Sequence, residues 1–405
     1  MLKSLPPQPA RPGYEHGSEL RLAVILASLN AFDPFATDMY LAGFPMLARS
    51  FQTDLVNIQI GLSIFFIGLA VGQLIYGPLI DRYGRKPPLL AGVSLFACAS
   101  LLITAAPTVE SFIALRFLQA VGGAAGMIVS RAIIADMFTP PEAARVLSLM
   151  MMVQSLGPIL APVLGGYIVA SLGWRTVFLF LTLFGLACLL AVKWGLPETL
   201  SFDQRRQERI ADIFGVWLRL MTSRTFILPA LTCSFVFAGL FAFITASPFV
   251  YMQLHGVSER NYGWLFGINA LGLILAAQMN RILLRQLTAA TLVRAGLIVM
   301  TIGALILTGV SATTSLTQLV ILLLICLANV PLIGANTVAL AMAATGHHRG
   351  SGSAIIGLLQ FGVAGAVSIC VSLLQDETAR PMCWIILASA IIASICWYSL
   401  QKVVR

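Results

Sequence analysis

The stretch of sequence that decides the fold is residues 72–87, which read Gly-Gln-Leu-Ile-Tyr-Gly-Pro-Leu-Ile-Asp-Arg-Tyr-Gly-Arg-Lys-Pro. An apolar run ends here, charged side chains follow, and a second apolar run begins at Pro87. Gly77-Pro78 is expected to end or bend the incoming helix, and Gly84 permits a tight turn. A charged segment this short joins two neighbouring antiparallel helices rather than two domains.

The composition is that of an integral membrane protein. The chain has 405 residues, of which 59% are hydrophobic and 10% charged, whereas soluble domains carry about 25% charged residues. Apolar segments of the length of a bilayer span predict an all-α membrane protein, because helices satisfy their own backbone hydrogen bonds in lipid.

Counting apolar segments of about 20 residues predicts twelve transmembrane helices. They cover residues 20–43, 57–80, 88–105, 108–134, 144–170, 174–196, 225–252, 261–284, 290–311, 316–343, 351–374 and 381–401. The longest polar stretch, residues 197–224, separates two six-helix bundles, at 20–196 and 225–405, and we treat residues 1–19 as a disordered cytoplasmic tail.

Basic residues fall mainly on one side of the predicted membrane. Only Arg49, Arg175, Arg260 and Arg380 lie in the loops of the other side, and Arg116 and Arg131 lie inside apolar segments. By the positive-inside rule, the basic side and both termini are cytoplasmic. The net charge of +9 is thereby explained without a nucleic-acid partner.

The separating stretch contains apolar residues at helical spacing: Ile213, Phe214, Trp217, Leu218 and Met221. Arg219 and Asp212 lie on the opposite face. This pattern is consistent with a short amphipathic helix on the cytoplasmic face and also with a simple solvated linker.

The two halves repeat in sequence. Gly68-Leu and Gly92 recur as Gly272-Leu and Gly296 after the same interval. In the second copy, Arg285 stands at the position of Asp81 and Ala289 at that of Arg85, so the charge pattern of the turn is lost there. Repeated helical halves around a central cavity are typical of secondary transporters.

Several other functions lack support in the sequence. The seven cysteines lie in or beside apolar segments without metal-ligand spacing. We assign no ligand role to His255, His347 or His348, and we find no nucleotide-binding loop or catalytic motif. We therefore expect no enzyme activity, no metal and no cofactor.

Two carboxylates, Asp33 and Asp38, interrupt the first apolar segment. A charge at membrane depth costs about 2.5–3.5 kcal/mol, so such residues usually face a cavity or a partner. Asp38 is the stronger functional candidate, although solvation near the membrane surface also accounts for it. For Asp33 a functional role and a structural role are equally well supported, the structural role being to hydrogen-bond backbone groups that the Pro34 kink leaves free.

Arg116 in the fourth segment is the natural partner of these acids. Counted from the outer end of its helix at 1.5 Å per residue, Arg116 lies about 12 Å deep. On the same count Asp38 lies about 7 Å and Asp33 about 15 Å below the outer end of helix 1, so the two depths bracket that of Arg116. Burial in a dry cavity raises the pKa of a carboxylate, and a nearby arginine lowers it. A cavity that opens to one side and then the other would shift the balance between these two effects, as a proton carrier needs. A static ion pair between helices 1 and 4 is the alternative.

Three further groups are candidates for substrate contact or movement. In helix 5, glycine and proline predict a bendable interface at Gly157, Pro158, Pro162, Gly165 and Gly166. Arg131 and Asp136 lie at the cytoplasmic end of helix 4, and Asp136 near Arg85 would form a cytoplasmic latch, although surface solvation also explains Asp136. Phe237 and Phe241 share a face of helix 7 that lines either a cavity or neighbouring helices.

The charged turn resembles the signature loop of the major facilitator superfamily, Gly-x-x-x-Asp-Arg-x-Gly-Arg-Lys/Arg. The matching residues are Gly77, Asp81, Arg82, Gly84, Arg85 and Lys86. Residues 37–41 (Thr-Asp-Met-Tyr-Leu), 116–122, 157–166, 174–178 and 247–251, together with Arg131 and Asp136, resemble the twelve-helix drug/proton antiporters of the bicyclomycin-resistance (Bcr/CflA) type.

This resemblance implies a proton-driven exporter of small amphipathic drugs in the bacterial inner membrane that acts by alternating access. Asp38 and Asp33 would carry protons, with Arg116 tuning them. Asn30, Tyr40, Gln119, Phe237 and Phe241 would line the substrate cavity. The turn at 77–86, with Arg131 and Asp136, would gate the cytoplasmic side.

The resemblance implies that the substrates are chloramphenicol- or bicyclomycin-type antibiotics. It also implies a monomer whose partners are protons, the substrate and the lipid bilayer. The chain departs from this branch in two places. Ala42 replaces a usual proline, and Asn30 takes the position of a second helix-1 acid of related exporters, whereas this chain has Asp33, which leaves the number of protons per cycle open. Export of a purine base, nucleoside or sugar, uptake by a symporter, and a receptor without transport remain the alternatives.

Overall fold

The structure, a computed structural model, describes residues 16–205, 210–310, 315–346 and 348–404. In this part of the chain all regular structure is helical and no strand occurs, which confirms the predicted all-α fold. Residues 1–15 of the predicted tail and His347 lie outside the described residues, and the first helix begins at His16.

The helices before the long polar stretch are α1 (His16–Asn30), α2 (Phe32–Asp38), α3 (Phe44–Phe51), α4 (Leu55–Tyr83), α5 (Lys86–Thr104), α6 (Val109–Met137), α7 (Pro140–Leu172) and α8 (Trp174–Gly195). A 3₁₀ turn, Leu41–Gly43, separates α2 from α3.

The remaining helices are α9 (Ile210–Thr222), α10 (Arg224–Pro248), α11 (Glu259–Leu283), α12 (Ala289–Val310), α13 (Leu316–Leu327), α14 (Asn329–Ala343), α15 (Arg349–Leu373) and α16 (Arg380–Val404). A 3₁₀ turn, Phe202–Gln204, precedes α9, and a π-helical segment, Phe249–Leu254, extends α10.

In the described residues, 11 helical segments are long and apolar enough to cross a membrane. They correspond to all the predicted spans except the first, which is divided among α1, α2 and the 3₁₀ turn. The first span is therefore present but broken.

Prolines account for two of the breaks in the helices. Pro34 has no N–H to donate to the carbonyl of Asn30, and α1 ends at Asn30. Pro331 likewise cannot bond to Leu327, where α13 ends. Pro78, which was expected to end or bend helix 2, lies inside α4, and that helix continues to Tyr83.

The contacts between the two sequence repeats follow a pseudo-two-fold arrangement. Helix α4 packs against α15, and α7 packs against α11. The repeat pairs α4 with α11 and α7 with α15, so the symmetry operation exchanges these two interfaces.

The repeated glycines make equivalent contacts. Gly68 faces Ala120 of α6, and its counterpart Gly272 faces Leu324 of α13. Gly92 faces Ala125 of α6, whereas Gly296 faces Ile333 of α14. The broken pair α13–α14 thus takes the position that α6 occupies in the first repeat.

Consecutive spans run in opposite directions, and this defines two sides of the molecule. The turn at 84–85 and residues 196–205 and 210–223 lie on what we call the linker side. The turns at 52–54, 105–108 and 255–258 lie on what we call the far side. On the far side, Gly166 of α7 lies against the backbone of Glu259 at the start of α11.

Candidate transport site

Asp38 is the last residue of α2, where the first span is interrupted for a second time. Its side chain is 3% exposed, and no described residue forms a hydrogen bond with its Oδ1 atom. A buried carboxylate oxygen without a partner is unfavourable, so it marks a group retained for function or bound to something the protein chain does not supply.

The Asn30 side chain and the Asp33 backbone form local hydrogen bonds in this span. Asn30 is buried, and its Nδ2 donates to the carbonyl of Leu26 at 3.0 Å. Asp33 is partly exposed, and its backbone carbonyl accepts from Thr37 Oγ1 at 2.7 Å. Neither bond involves the Asp33 carboxylate, so its use of backbone groups freed by Pro34 stays a prediction.

Arg116 is fully buried in α6 but forms no ion pair with Asp38 or Asp33 in the described part of the chain. Its Nη1 donates to Gln119 Oε1, and Gln119 Nε2 donates to Ser100 Oγ at 2.8 Å. The pair that the helix depths allowed is not formed in this structure.

Aromatic rings hold the Arg116 guanidinium instead. Its Cζ lies 4.4 Å from the ring centroid of Tyr40 and 4.1 Å from that of Phe65. Such cation–π contacts are worth about 2 kcal/mol when desolvated. Tyr40 follows Asp38 by two positions, so Arg116 contacts the chain next to the carboxylate through the ring.

The two remaining cavity candidates, Phe237 and Phe241, pack against residues of other helices. The Phe241 centroid lies 4.5 Å from that of Phe66 on α4 and 6.1 Å from that of Phe361 on α15. Phe241 therefore packs between helices of both repeats. Phe237 lies 6.4 Å from Phe241 and faces Gly334 of α14.

Polar contacts join the two repeats on the far side of this cluster. Ser63 Oγ of α4 lies 2.7 Å from Ser368 Oγ of α15, which also lies 2.7 Å from Thr245 Oγ1 of α10. Gln59 Nε2 donates to the carbonyl of Thr245 at 3.3 Å. All four side chains are buried, so this region of the far side is closed.

Helix α7 completes the far-side closure. Pro158 and Pro162 lie inside α7, which runs without a break to Leu172. A side chain at Gly166 would meet the carbonyl of Glu259, and one at Gly263 would meet the backbone of Pro162. Within its own repeat, Gly157 faces Pro34 and Gly165 faces the Met39 carbonyl, so the predicted hinge residues contact the broken first span.

On the linker side, Arg85 connects two acidic residues. Its Nη1 donates to Asp81 at 2.6 Å, and its Nε donates to Asp136 at 2.9 Å. Burial works to lower the pKa of the guanidinium, but hydrogen bonds and the charges of Asp136 and Asp81 outweigh burial and raise that pKa. Arg85 therefore stays charged.

Glu198 and Thr199, which the sequence interpretation missed, complete this cluster. Glu198 accepts from the backbone N–H groups of Arg85 at 2.8 Å and Lys86 at 3.1 Å, and Thr199 Oγ1 donates to Asp136 at 3.0 Å. Helix α5 has no N-cap side chain of its own, and an acid on the same side after Pro197 was the available signal.

The other residues of the signature turn have separate contacts. Lys86 Nζ donates to the carbonyl of Lys193 at 2.8 Å, and Arg82 lies over the neighbouring Tyr83 ring. Gly84 has φ +93°, which favours glycine. Gly77 has open space around its Cβ position, and Arg131 makes no ion pair with Asp136 among the described residues.

Comparisons with known proteins were made for sequence and for structure. The sequence pattern of the Major Facilitator Superfamily matches residues 26–369. An uncharacterised MFS-type transporter, YdgK of Bacillus subtilis (strain 168), is 34% identical over 386 residues, which are 95% of this chain and 96% of that protein.

Two relatives have names that refer to drug resistance. A bicyclomycin resistance protein homolog of Haemophilus influenzae is 32% identical over 379 residues, covering 93% of this chain and 95% of its own. A chloramphenicol resistance protein of Pseudomonas aeruginosa is 30% identical over 298 residues, covering 71% of this chain and 68% of its own.

Among solved structures, a D-xylose-proton symporter superimposes with a TM-score of 0.75, covering 95% of this chain and 98% of that one. A bacterial homolog of the human lysosomal transporter Spinster, in an inward-facing state, gives a TM-score of 0.71. Identities of 16% in both cases limit the likeness to the fold.

Proposed function

The chain belongs to the major facilitator superfamily of multi-pass membrane transporters, and on this premise we propose that it exports small amphipathic drugs in exchange for protons. The relatives named for bicyclomycin and chloramphenicol resistance support drug efflux. The two antibiotics in these names are the compounds to test first.

The single observation that carries the proton-coupling part is the Asp38 carboxylate. It is buried, one of its oxygens has no hydrogen-bond partner in the described chain, and it lies at a break in the first span. Such a carboxylate is stable when protonated and costly when charged and unpaired. Binding and release of a proton therefore change the energy of the state in which Asp38 is buried.

The state described here has its far side closed by the α4–α15 and α7–α11 contacts. With the linker side assigned to the cytoplasm by the positive-inside rule, it is a state closed to the outside of the cell. In the proposed cycle, drug enters from the cytoplasm, the far side opens, and a proton from outside replaces the drug at Asp38.

The signature turn would act as the cytoplasmic latch of this cycle. Arg85, Asp81 and Asp136 connect the start of α5 to the ends of α4 and α6, with Glu198 as acceptor for the α5 N-terminus. This cluster lies within one repeat, so it keeps the linker-side ends of these helices moving as one body.

An efflux screen tests the proposal. The protein is expressed in a bacterial host that lacks its main drug pumps, and accumulation of chloramphenicol, bicyclomycin and a fluorescent dye is measured with and without a protonophore. We expect lower accumulation of at least one compound and loss of this effect with the protonophore. Drug exclusion that persists without a proton gradient would contradict antiport, and growth on an imported solute would indicate uptake.

A further inference from the structure

Helix α9, in the segment between the two repeats, has one apolar face that the protein covers. Trp217 is 9% exposed and Leu220 is 6% exposed. They pack in one apolar cluster with Phe226 of α10 and Ile355 and Ile356 of α15, and Leu74 of α4 borders that cluster. The helix is thereby attached at the interface where α4 and α15 bring the repeats together.

A second apolar stripe on α9 is left uncovered by the described residues. Phe214 is 63% exposed, Leu218 is 67% exposed and Met221 is 41% exposed. At 3.6 residues per turn, they lie about 60°, 100° and 40° around the helix from Trp217. The apolar arc of α9 is therefore wider than the part that the protein buries.

Polar and small residues follow this stripe around the helix. Thr222 and Gly215 are exposed about 140° and 160° from Trp217, and Arg219 is exposed at about 200°. A helix with a wide apolar arc bordered by a basic side chain suits the boundary between lipid headgroups and acyl chains.

The position of α9 along the chain fixes it at this boundary. It ends at Thr222, and the span α10 begins at Arg224. Arg224 is exposed as well, so two cations flank the stripe at the level where the bilayer surface must lie. Basic groups at this level are attracted to anionic lipid phosphates.

From this geometry we propose that α9 is an interfacial anchor. Its stripe of Phe214, Leu218 and Met221 inserts into the linker-side leaflet, and Arg219 binds the headgroups of anionic phospholipids. The occupant of the uncovered stripe is thus lipid rather than a second copy of the chain or a water-soluble protein. The linker is consequently fixed both to the membrane and to the α4–α15 interface.

Photo-crosslinking in the full-length protein tests this placement. Phe214 and Leu218 are replaced one at a time by benzoylphenylalanine, and Gly215 and Thr222, exposed on the adjoining arc of the same helix, serve as matched controls. The variants are reconstituted in vesicles of phosphatidylethanolamine and phosphatidylglycerol, irradiated, and analysed by mass spectrometry of the intact protein.

We expect phospholipid adducts at positions 214 and 218, at a yield several-fold above that at 215 and 222. Arg219→Gln should lower the share of phosphatidylglycerol in the adducts at 218. Equal low yields at all four positions would identify a solvated linker and overturn the proposal. Adducts of one protein chain with another would show that a second copy covers the stripe, and would overturn it too.

Discussion

At the scale of single residues, Asp38 differs from the other acidic side chains of the described chain because it has a buried oxygen without a hydrogen-bond partner. Its substitution by asparagine preserves the size and imitates the protonated form. We expect Asp38→Asn to insert normally and to lose pH-gradient-driven efflux by at least roughly tenfold, or about 1.4 kcal/mol in the barrier. Initial rates in proteoliposomes provide the measurement.

The matched control for Asp38 is Asp54, an exposed acid on the far side with no side-chain cap hydrogen bond. Asp54→Asn should transport at the rate of the unmodified protein. Full transport by Asp38→Asn would remove Asp38 from the proton pathway. Loss in both variants would point to a general effect of far-side charge.

Arg116 is expected to require its planar guanidinium and not only its charge. Arg116→Lys keeps the cation, but it loses the flat stacking on Tyr40 and Phe65 and the geometry of the bond to Gln119. We expect the free energy of unfolding to fall by about 1–2 kcal/mol. Thermal unfolding in detergent measures this, and an unchanged unfolding temperature would contradict the stacking account.

At the scale of elements, the latch on the linker side joins the ends of α4, α5 and α6. Arg85→Ala should lower the free energy of unfolding by about 1–2 kcal/mol. The loss is smaller than for a fully buried ion pair because half of the Asp81 side chain is exposed. We expect slower exchange between transport states with drug affinity unchanged. Single-molecule distance measurements across the linker side, together with drug binding, check this.

Arg82→Ala is the control for the latch, since Arg82 lies over its neighbour Tyr83 and makes no ion pair with a described residue. It should leave exchange unchanged. If Arg85→Ala abolishes drug binding while exchange stays normal, the cluster is part of the drug site rather than a latch.

The α7–α11 contact on the far side allows no side chain at Gly263. A Cβ there would meet the Pro162 backbone of the other repeat. Gly263→Ala should therefore favour the state that is open on the far side, which we would detect as faster labelling of Ser63→Cys by an impermeant maleimide from that side. Gly362→Ala is the control, because its Cβ position is open. Equal labelling in the two variants would refute the closure assignment.

At the scale of the whole molecule, hydrophobic patterning predicted the all-α fold and the spans, because a bilayer imposes helix length directly. The break at Asn30 was readable from Pro34 and the break at Leu327 from Pro331. Pro78 shows the limit of that rule, since α4 continues through it.

Side-chain partners were harder to predict than spans. Depth along each helix allowed an Asp38–Arg116 pair, but rotation of the helices places the guanidinium on Tyr40 and Phe65 instead. Glu198 is distant in sequence from the turn that it caps, so its position on the same side of the membrane was the only sequence signal for the contact. The roles of the predicted gating, cavity and hinge residues stay predictions that the variants above will test.

The central claim is that drug and proton exclude each other at Asp38, and proton release on drug binding tests it most directly. The purified protein in weakly buffered detergent solution is mixed with a drug identified by the efflux screen, and the pH change is recorded. The account predicts release of protons by the unmodified protein and none by Asp38→Asn. Drug binding without proton release by the unmodified protein, or equal release by both proteins, would contradict it.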